Sequence, residues 1–194
     1  IEKMLKKVIP PTYTSPSLSL SGSSPFVVEA GTVNTITIAP TFIQNNAGDV
    51  TSCKIYKNGN LVKTTSVIEN FVDTNVGMTD SNIVYKVEVS YATGAVLKNN
   101  VGEDYPTGQI QAGTITSSNL TYTSYRKTFY GTNSSTGAVT SNEIRALSGS
   151  SNSALTAGSS FTLSIPVGAK KVIFAYPANL RDISSVQYVE GMNA

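Results

Sequence analysis

Turn-forming residues interrupt this chain at short intervals, and that spacing constrains its fold more than any other feature. The clearest turn signals are Asn45–Gly48, Asn58-Gly59 and Ala92–Gly94. Asn58-Gly59 strongly favours a hairpin, because both residues tolerate the positive φ angles of a tight two-residue turn. Short strands separated by turns every ~8–12 residues predict an immunoglobulin-like β-sandwich.

The segments between these turns alternate apolar and polar residues, as half-buried strands do. In Ile83–Tyr91, for example, Tyr85 and Val87 alternate with Lys86 and Glu88. The predicted strands of the sandwich are Ser17–Ser21, Phe26–Glu29, Val33–Ile43, Val50–Tyr56, Leu61–Ile68, Ile83–Tyr91 and Ala95–Lys98. The chain has one cysteine and no tryptophan. The prediction is therefore the wider sandwich architecture, without the Cys–Trp–Cys core of antibody domains.

The predicted fold class is mostly β, in three parts. Residues 1–12 form a short helical segment for anchoring or oligomerisation, residues 13–118 form the sandwich, and residues 119–194 form a second β-rich module. The boundary is placed in Gly102–Ser124, because Gly, Pro, Ser and Thr dominate this stretch. No closing strand precedes Ala194, so the second module is expected to continue beyond it.

The second module is predicted to contain one short helix over Ser141–Leu147. Ser141 can cap its N-terminus, and Gly149 lies beyond its end. The strands predicted in this module are Phe161–Ile165, Lys171–Tyr176 and Ser185–Val189.

The first nine residues have the spacing of one helical stripe. Its apolar members are Ile1, Met4, Leu5, Val8 and Ile9. Pro10-Pro11 then ends the predicted helix. So short a helix is not stable alone in water, so the stripe must pack on something. Three alternatives remain at this point: its own domain, copies of itself, and a separate partner.

Composition argues against catalysis and against several classes of ligand. The chain has no histidine, which removes the commonest general base and metal ligand, and its lone Cys53 cannot form a zinc site. The only adjacent carboxylates, Glu103 and Asp104, suit a solvated loop better than a glycosidase site. We therefore predict no catalytic residue, no metal and no cofactor. Cys53 itself shares a strand face with Ile55 and is expected to be a small buried side chain.

Binding to nucleic acid and insertion into a membrane are also disfavoured. The net charge is only +2, and no basic run is interleaved with aromatic residues. No stretch approaches the ~20 apolar residues of a membrane-spanning helix.

One cluster of aromatic residues has two interpretations. Tyr122, Tyr125, Phe129 and Tyr130 concentrate ring surface near the start of the second module. Rings stack on sugars, so the cluster could bind a ligand, but aromatic residues on strands more often pack in a core or an interface.

Two parts of the sequence resemble a known class of proteins. Leu5–Thr14, followed by Ser17–Gly22, resembles the junction in phage surface proteins where a short helix leads into a β-sandwich. A second set of segments is similar to a module of virion fibre proteins of tailed bacteriophages, including crAss-like and other phages of Bacteroidetes. These segments are Tyr125–Gly131, Ser141–Leu147, Phe161–Gly168 and Val172–Pro177.

This resemblance implies a structural role rather than an activity. It implies a homotrimeric fibre on the head or tail of the virion, assembled in the bacterial cytoplasm with other virion proteins and serving attachment to the host. A host surface glycan is a further partner that this role would allow. The resemblance brings no catalytic residues with it. The alternative function is a carbohydrate-binding module of a bacterial surface or secreted protein.

Overall fold

A computed structural model of the chain describes residues 7–151 and 162–177, together with Ser185 and Gln187. Two compact units are present, and the division falls between Ser124 and Tyr125. The strands of the first unit are β1 (Ser17–Gly22), β2 (Val27–Glu29), β3 (Val33–Ile43), β4 (Val50–Lys57), β5 (Asn60–Thr65), β6 (Phe71–Gly77), β7 (Ile83–Tyr91), β8 (Leu97–Lys98), β9 (Asp104–Tyr105), β10 (Gly113–Thr116) and β11 (Leu120–Tyr125).

The first unit is built mainly from two sheets that share one core, and β8 and β9 form a separate two-stranded hairpin. One sheet has the order β1-β3-β6, and the other has the order β2-β11-β7-β4-β5, with β10 also paired to β7. Alternate residues of both sheets point inward, as the pleat requires. The shared core consists of Ile36, Ile38, Cys53, Ile55, Val76, Met78, Ile83, Tyr85, Val87, Val89 and Tyr122. The chain is therefore mostly β, with a sandwich-like first unit.

The strongest local predictions are confirmed in β4, β5 and β7. Asn58 and Gly59 have φ angles of 50° and 81°, and they join β4 to β5 as the sequence indicated. Cys53 is fully buried beside Ile55, and burial raises the pKa of its thiol.

At the sheet edge, Lys63 lies over the ring of Phe71 and pairs with Glu69 at 2.9 Å. A charged residue on an edge strand opposes pairing with another chain.

The structure adds strands that the sequence did not reveal. β6 has an irregular exposure pattern and contains Asn75 with a positive φ of 57°. Its pairing with β3 also shifts register between Asn34 and Ile36. These irregularities hide the period of two on which the prediction of strands depends. β9, β10 and most of β11 lie in Gly102–Ser124, the stretch in which the boundary between the modules was predicted.

The limits of the predicted domains also differ from the structure. The predicted boundary between residues 118 and 119 precedes β11, but β11 pairs with β7 and belongs to the sheet of the first unit. Ile1, Met4 and Leu5 of the predicted anchor helix lie outside the described residues. Val8 and Ile9 are described and are not helical. The prediction of a helix is therefore wrong for these two residues.

The second unit contains a three-stranded sheet and a short helix among its described residues. Its elements are β12 (Thr128–Asn133), α1 (Ser141–Arg145), β13 (Gly149–Ser151) and β14 (Lys171–Ala175), and the sheet order is β13-β12-β14. The N-cap of α1 is Thr140 rather than Ser141, because the Thr140 side chain accepts the bond from the Glu143 N–H.

Two other strands predicted in this unit have different outcomes. The strand predicted over Phe161–Ile165 is absent from residues 162–165, which are described and irregular. The strand predicted over Ser185–Val189 lies outside the described residues, apart from Ser185 and Gln187.

Candidate functional site: the seat of the N-terminal segment

The described part of the segment before β1 has no regular secondary structure, and Asn100 holds its first residues against the first unit. Asn100 accepts a hydrogen bond from the Ile9 N–H at 2.7 Å and donates one from its side-chain amide to the Lys7 carbonyl at 3.0 Å. The N–H of Asn100 also donates to the Ile9 carbonyl at 3.4 Å. All three bonds go to the main chain of the segment, so Asn100 fixes the path of the segment independently of the side chains that the segment carries.

Further along the segment, Tyr13 joins it to the short hairpin formed by β8 and β9. The Tyr13 hydroxyl donates to the Tyr105 carbonyl and accepts from the Leu97 N–H, both at 2.7 Å. Because Leu97 and Tyr105 are paired across this hairpin, one hydroxyl is bonded to both of its strands. Tyr13 therefore ties the incoming chain to the connection between β7 and β10.

Two more asparagines hold the last residues of the segment. Asn46 accepts from the Thr14 N–H at 2.7 Å through its side chain and donates its own N–H to the Thr14 carbonyl at 3.2 Å. The Asn45 amide donates to the Ser15 carbonyl at 2.8 Å. We call this set of contacts the seat. It joins the segment Lys7–Ser15 to Asn45, Asn46, Leu97, Asn100 and Tyr105.

The seat depends on a close approach of two loops. Gly48 donates its N–H to Ala92, and Gly94 donates its N–H to Ile110. A Cβ added at Gly94 would overlap the carbonyl oxygen of Asn46, and one at Gly48 would overlap the Thr93 carbonyl. Only glycine fits at such a crossing, where backbone meets backbone. The two glycines therefore bring Asn46 to the position from which it binds Thr14.

The seat lies at one end of the first unit, and the chain leaves at the other end. β7 is the central strand of the larger sheet, and its last residue, Tyr91, is next to Ala92 and the seat. β11 runs antiparallel to β7, so Tyr122 pairs with Ile83, the first residue of β7. The nine residues of β7 span about 30 Å at the usual rise of a strand. The chain thus enters the first unit at one end of the sandwich and leaves it at the opposite end.

The aromatic residues singled out in the sequence lie in different surroundings. Tyr122 is only 1% exposed, its hydroxyl donates to the Ser23 carbonyl, and its ring packs on Phe26 and Tyr85. It is therefore a core residue and offers no ring face to a sugar. Tyr125, Phe129 and Tyr130 are half-buried in β11 and β12. Lys127 and Arg145 each lie about 6 Å from the centre of the Phe129 ring.

One cluster in the second unit has the residue types of a nucleophile and a base. The Ser135 hydroxyl donates to Glu143 at 2.7 Å and accepts from the Lys171 ammonium at 3.2 Å. Hydrogen bonds from Ser135 and from Thr140 lower the pKa of Glu143 to about 2. A carboxylate with so low a pKa is a weak base for a serine at neutral pH. The hydrogen bonds of the cluster fix the loop before α1.

This role of Glu143 predicts a dependence of stability on pH. The pKa of Glu143 is lower in the folded chain than its ordinary 4.5, so its contribution is present above that value and is lost as the pH falls toward about 2. We expect Glu143→Gln to lower the thermal midpoint of unfolding at pH 7 and to have a smaller effect at pH 2.5. Scanning calorimetry at pH 7, 4.5 and 2.5 measures this; an equal difference at all three values would contradict it.

Other types of site are not found in the part of the chain that the structure describes. Within it, no three Cys, Asp or Glu residues lie together as they would around a metal ion. No helix among the described residues is long and apolar enough to span a membrane.

Comparisons with known proteins assign no family. No family model matches the chain, and no curated protein matches it. Among solved structures, it is similar to the CARDB domain of a protein from Pyrococcus furiosus, solved in complex with di-metal ions. The two are 17% identical, with a TM-score of 0.31, and the match covers 59% of this chain and 97% of that domain. A likeness with this TM-score supports no conclusion about fold or function.

Proposed function

We propose that this chain is a structural component of a tailed-phage virion fibre, in which the first unit acts as a rigid spacer. The observation that supports this most is the path of the chain, which is seated at one end of the sandwich and leaves at the opposite end. A module whose chain enters and leaves at opposite ends lengthens an appendage by the length of the module. The role requires no enzymatic activity and no cofactor, and it places the protein in the virion after assembly in the host cytoplasm.

The order of the strands fits an immunoglobulin-like spacer. Taking β1, β3, β4, β5, β6, β7 and β10–β11 as strands A, B, C, C′, E, F and G, the sheets have the orders A-B-E and G-F-C-C′. These are the neighbours found in immunoglobulin-like sandwiches. The seat then occupies the connection between strands F and G and the loop between strands B and C. Loops at one end of such a sandwich vary freely without disturbing the sheets.

The composition of the surface suits an exposed appendage. Only 13% of the residues are charged, and the outward positions of β1 are all serine, namely Ser17, Ser19 and Ser21. The core needs no disulfide, because Cys53 is the single cysteine and is buried. A fold stabilised by its core alone can form in a reducing cytoplasm before assembly.

Labelling of purified particles tests the proposed location. Antibodies raised against the full chain should bind, by immunogold electron microscopy, to appendages of virions from cells infected by the phage that encodes it. Mass spectrometry of the same particles should detect the chain in more than one copy per virion. Particles without the chain, with the protein found only in the medium or on the bacterial surface, would contradict the proposal and favour the carbohydrate-binding alternative.

A rigid spacer also requires that the seat hold the incoming segment firmly. Asn100→Ala removes two hydrogen bonds to the main chain, each contributing about 0.5–1.5 kcal/mol. The two bonds together contribute about 1–3 kcal/mol, and 1.4 kcal/mol is a factor of ten in population, so trypsin should cut the released segment after Lys7 roughly 5- to 100-fold faster. Asn82→Ala, in the exposed turn before β7, is the matched control. Equal rates of cleavage in the two variants would show that Asn100 does not hold the segment.

A further inference from the structure

The segment formed by residues 7–15 is attached to the first unit mainly by hydrogen bonds rather than by buried apolar side chains. None of its residues is buried, and only Pro11 and Tyr13 are half-buried. The hydrogen bonds from three asparagine side chains to its main chain are all exposed. Exposed hydrogen bonds and few buried apolar contacts mark the parts of a protein that open most easily. The segment is therefore only weakly held.

β1, which follows the segment directly, is attached to the sandwich in a different way. Its six residues pair with β3 in an unbroken register, from Ser17 opposite Ile43 to Gly22 opposite Ile38. Its two leucines pack against the shared core. A leucine packed in a core contributes more to stability than an exposed hydrogen bond does. Detaching β1 is therefore much harder than detaching the segment before it.

Tension along the chain also acts differently on these two attachments. The chain enters at the seat and leaves beyond Tyr122 at the opposite end, so a pull on both ends acts along the strands. The hydrogen bonds of an antiparallel pair are perpendicular to the strands, so all the pairs between β1 and β3 resist this pull together. The contacts of the segment lie at successive points, at Ile9, Tyr13 and Thr14, and the pull reaches them in turn.

We infer that this segment is a releasable strap, which detaches under tension while the sandwich stays folded. Release of its nine residues lengthens the chain by no more than about 30 Å, because an extended residue spans at most ~3.3–3.6 Å. The strap binds again when the tension falls, since no core has to be rebuilt. This inference deepens the spacer role and rests on it for its biological meaning, whereas the order of release is a property of the chain alone.

Force spectroscopy of the full chain tests the order of release. Handles are attached to cysteines introduced by Lys7→Cys and Thr123→Cys, which both lie in the first unit, so the second unit carries no load. Cys53 is fully buried, and burial raises the pKa of its thiol, so it does not compete for the handles. We expect a short step of at most about 30 Å, followed at higher force by one of roughly 350 Å as the sandwich unfolds.

Moving one handle provides the matched control for the short step. With Ser17→Cys in place of Lys7→Cys, the load enters at the first residue of β1 and bypasses the strap. The short step should then be absent, and the long step should occur at the same force as before.

Two variants that weaken the strap at different points should change only the short step. Asn100→Ala and Tyr13→Phe each remove two hydrogen bonds between the strap and the sandwich. At constant load, each should shorten the lifetime of the attached strap roughly 5- to 100-fold. Tyr56→Phe removes a hydroxyl from β4, away from the seat, and should leave both steps unchanged.

Three results would overturn the inference. The first is a single step from the handle at residue 7, in which the segment and the sandwich come away together. The second is a lifetime of the strap that neither Asn100→Ala nor Tyr13→Phe shortens. The third is a short step that persists from the handle at residue 17, which would place the weak contact inside the sandwich. All three concern the chain alone, and the particle-labelling experiment decides separately whether the chain is part of a virion.

Discussion

Asp73→Ala should destabilise the first unit by about 2–4 kcal/mol, because Asp73 joins its two sheets through a mostly buried polar contact. Its carboxylate accepts a hydrogen bond from the Tyr85 hydroxyl at 2.6 Å and pairs with the Lys57 ammonium at 2.7 Å. Asp73 lies on β6 in one sheet, whereas Tyr85 and Lys57 lie on β7 and β4 in the other. Removing the carboxylate leaves a buried hydroxyl and a largely covered ammonium without their acceptor.

Tyr85 stays protonated over the ordinary range of pH, so ionisation of its hydroxyl does not change the stability lost in Asp73→Ala. The residue is fully buried, and burial followed by its bond to Asp73 raises the pKa of its hydroxyl well above the usual value. Tyr85 therefore remains a neutral donor. Tyr85→Phe keeps the ion pair and removes one hydrogen bond, so its effect should be smaller, about 0.5–1.5 kcal/mol.

Chemical denaturation of the full chain, with circular dichroism as the signal, measures these differences. Asp104→Asn is the control for losing a carboxylate from an exposed ion pair, and it should change the free energy of unfolding by less than about 1 kcal/mol. An effect of Asp73→Ala no larger than that of Asp104→Asn would show that the contact between the sheets contributes little. A thermal scan should show a lower midpoint for Asp73→Ala, by roughly 2–8 °C per kcal/mol for a unit of this size.

The regular strands could be predicted because their alternation of apolar and polar residues is visible in the local sequence. In β7, the residues that alternate in hydrophobicity are those that alternate in exposure, and Asn58-Gly59 forms the turn that its φ preferences favour. β6 could not be found in this way. Its inward positions include Asp73, a charged residue that is tolerated only because Lys57 and Tyr85 satisfy it from other strands.

The seat was also beyond the reach of sequence patterns. Val8 and Ile9 have helical spacing with the upstream residues, yet they are not helical, and Asn100, more than ninety positions away in the chain, binds the main chain at Ile9. Asparagine is common in turns, so Asn45, Asn46 and Asn100 gave no signal beyond loop structure. Hydrogen bonds between distant loops depend on the completed fold, and tertiary contacts of this kind override local preference.

Gly94→Ala should lower the free energy of unfolding, whereas Gly77→Ala should leave it unchanged or raise it. This contrast tests whether the seat depends on the close approach of the two loops. At Gly94 an added methyl group would overlap the backbone of Asn46, so one loop must move away from the other. Forcing extra atoms into a packed site costs typically 1–3 kcal/mol and more where backbone has to shift. At Gly77, in β6, no atom lies within 4 Å of an added Cβ. Alanine there should be neutral or stabilise by about 0.4–1 kcal/mol, because it restricts the unfolded chain.

The loss at Gly94 should also reach the N-terminal segment. Asn46 binds both the N–H and the carbonyl of Thr14, so a loop displaced by Gly94→Ala takes these bonds away from the segment. Hydrogen exchange measured by mass spectrometry should show faster exchange at residues 12–15 and 44–48 in Gly94→Ala, with no change there in Gly77→Ala. A different result would contradict this role. Gly94→Ala could unfold the whole unit at a lower denaturant concentration yet leave exchange at residues 12–15 as slow as in the wild type. The close approach of the loops would then stabilise the sandwich without supporting the seat. Faster exchange confined to these two stretches would show that Gly94 is needed to hold the incoming chain against the sandwich.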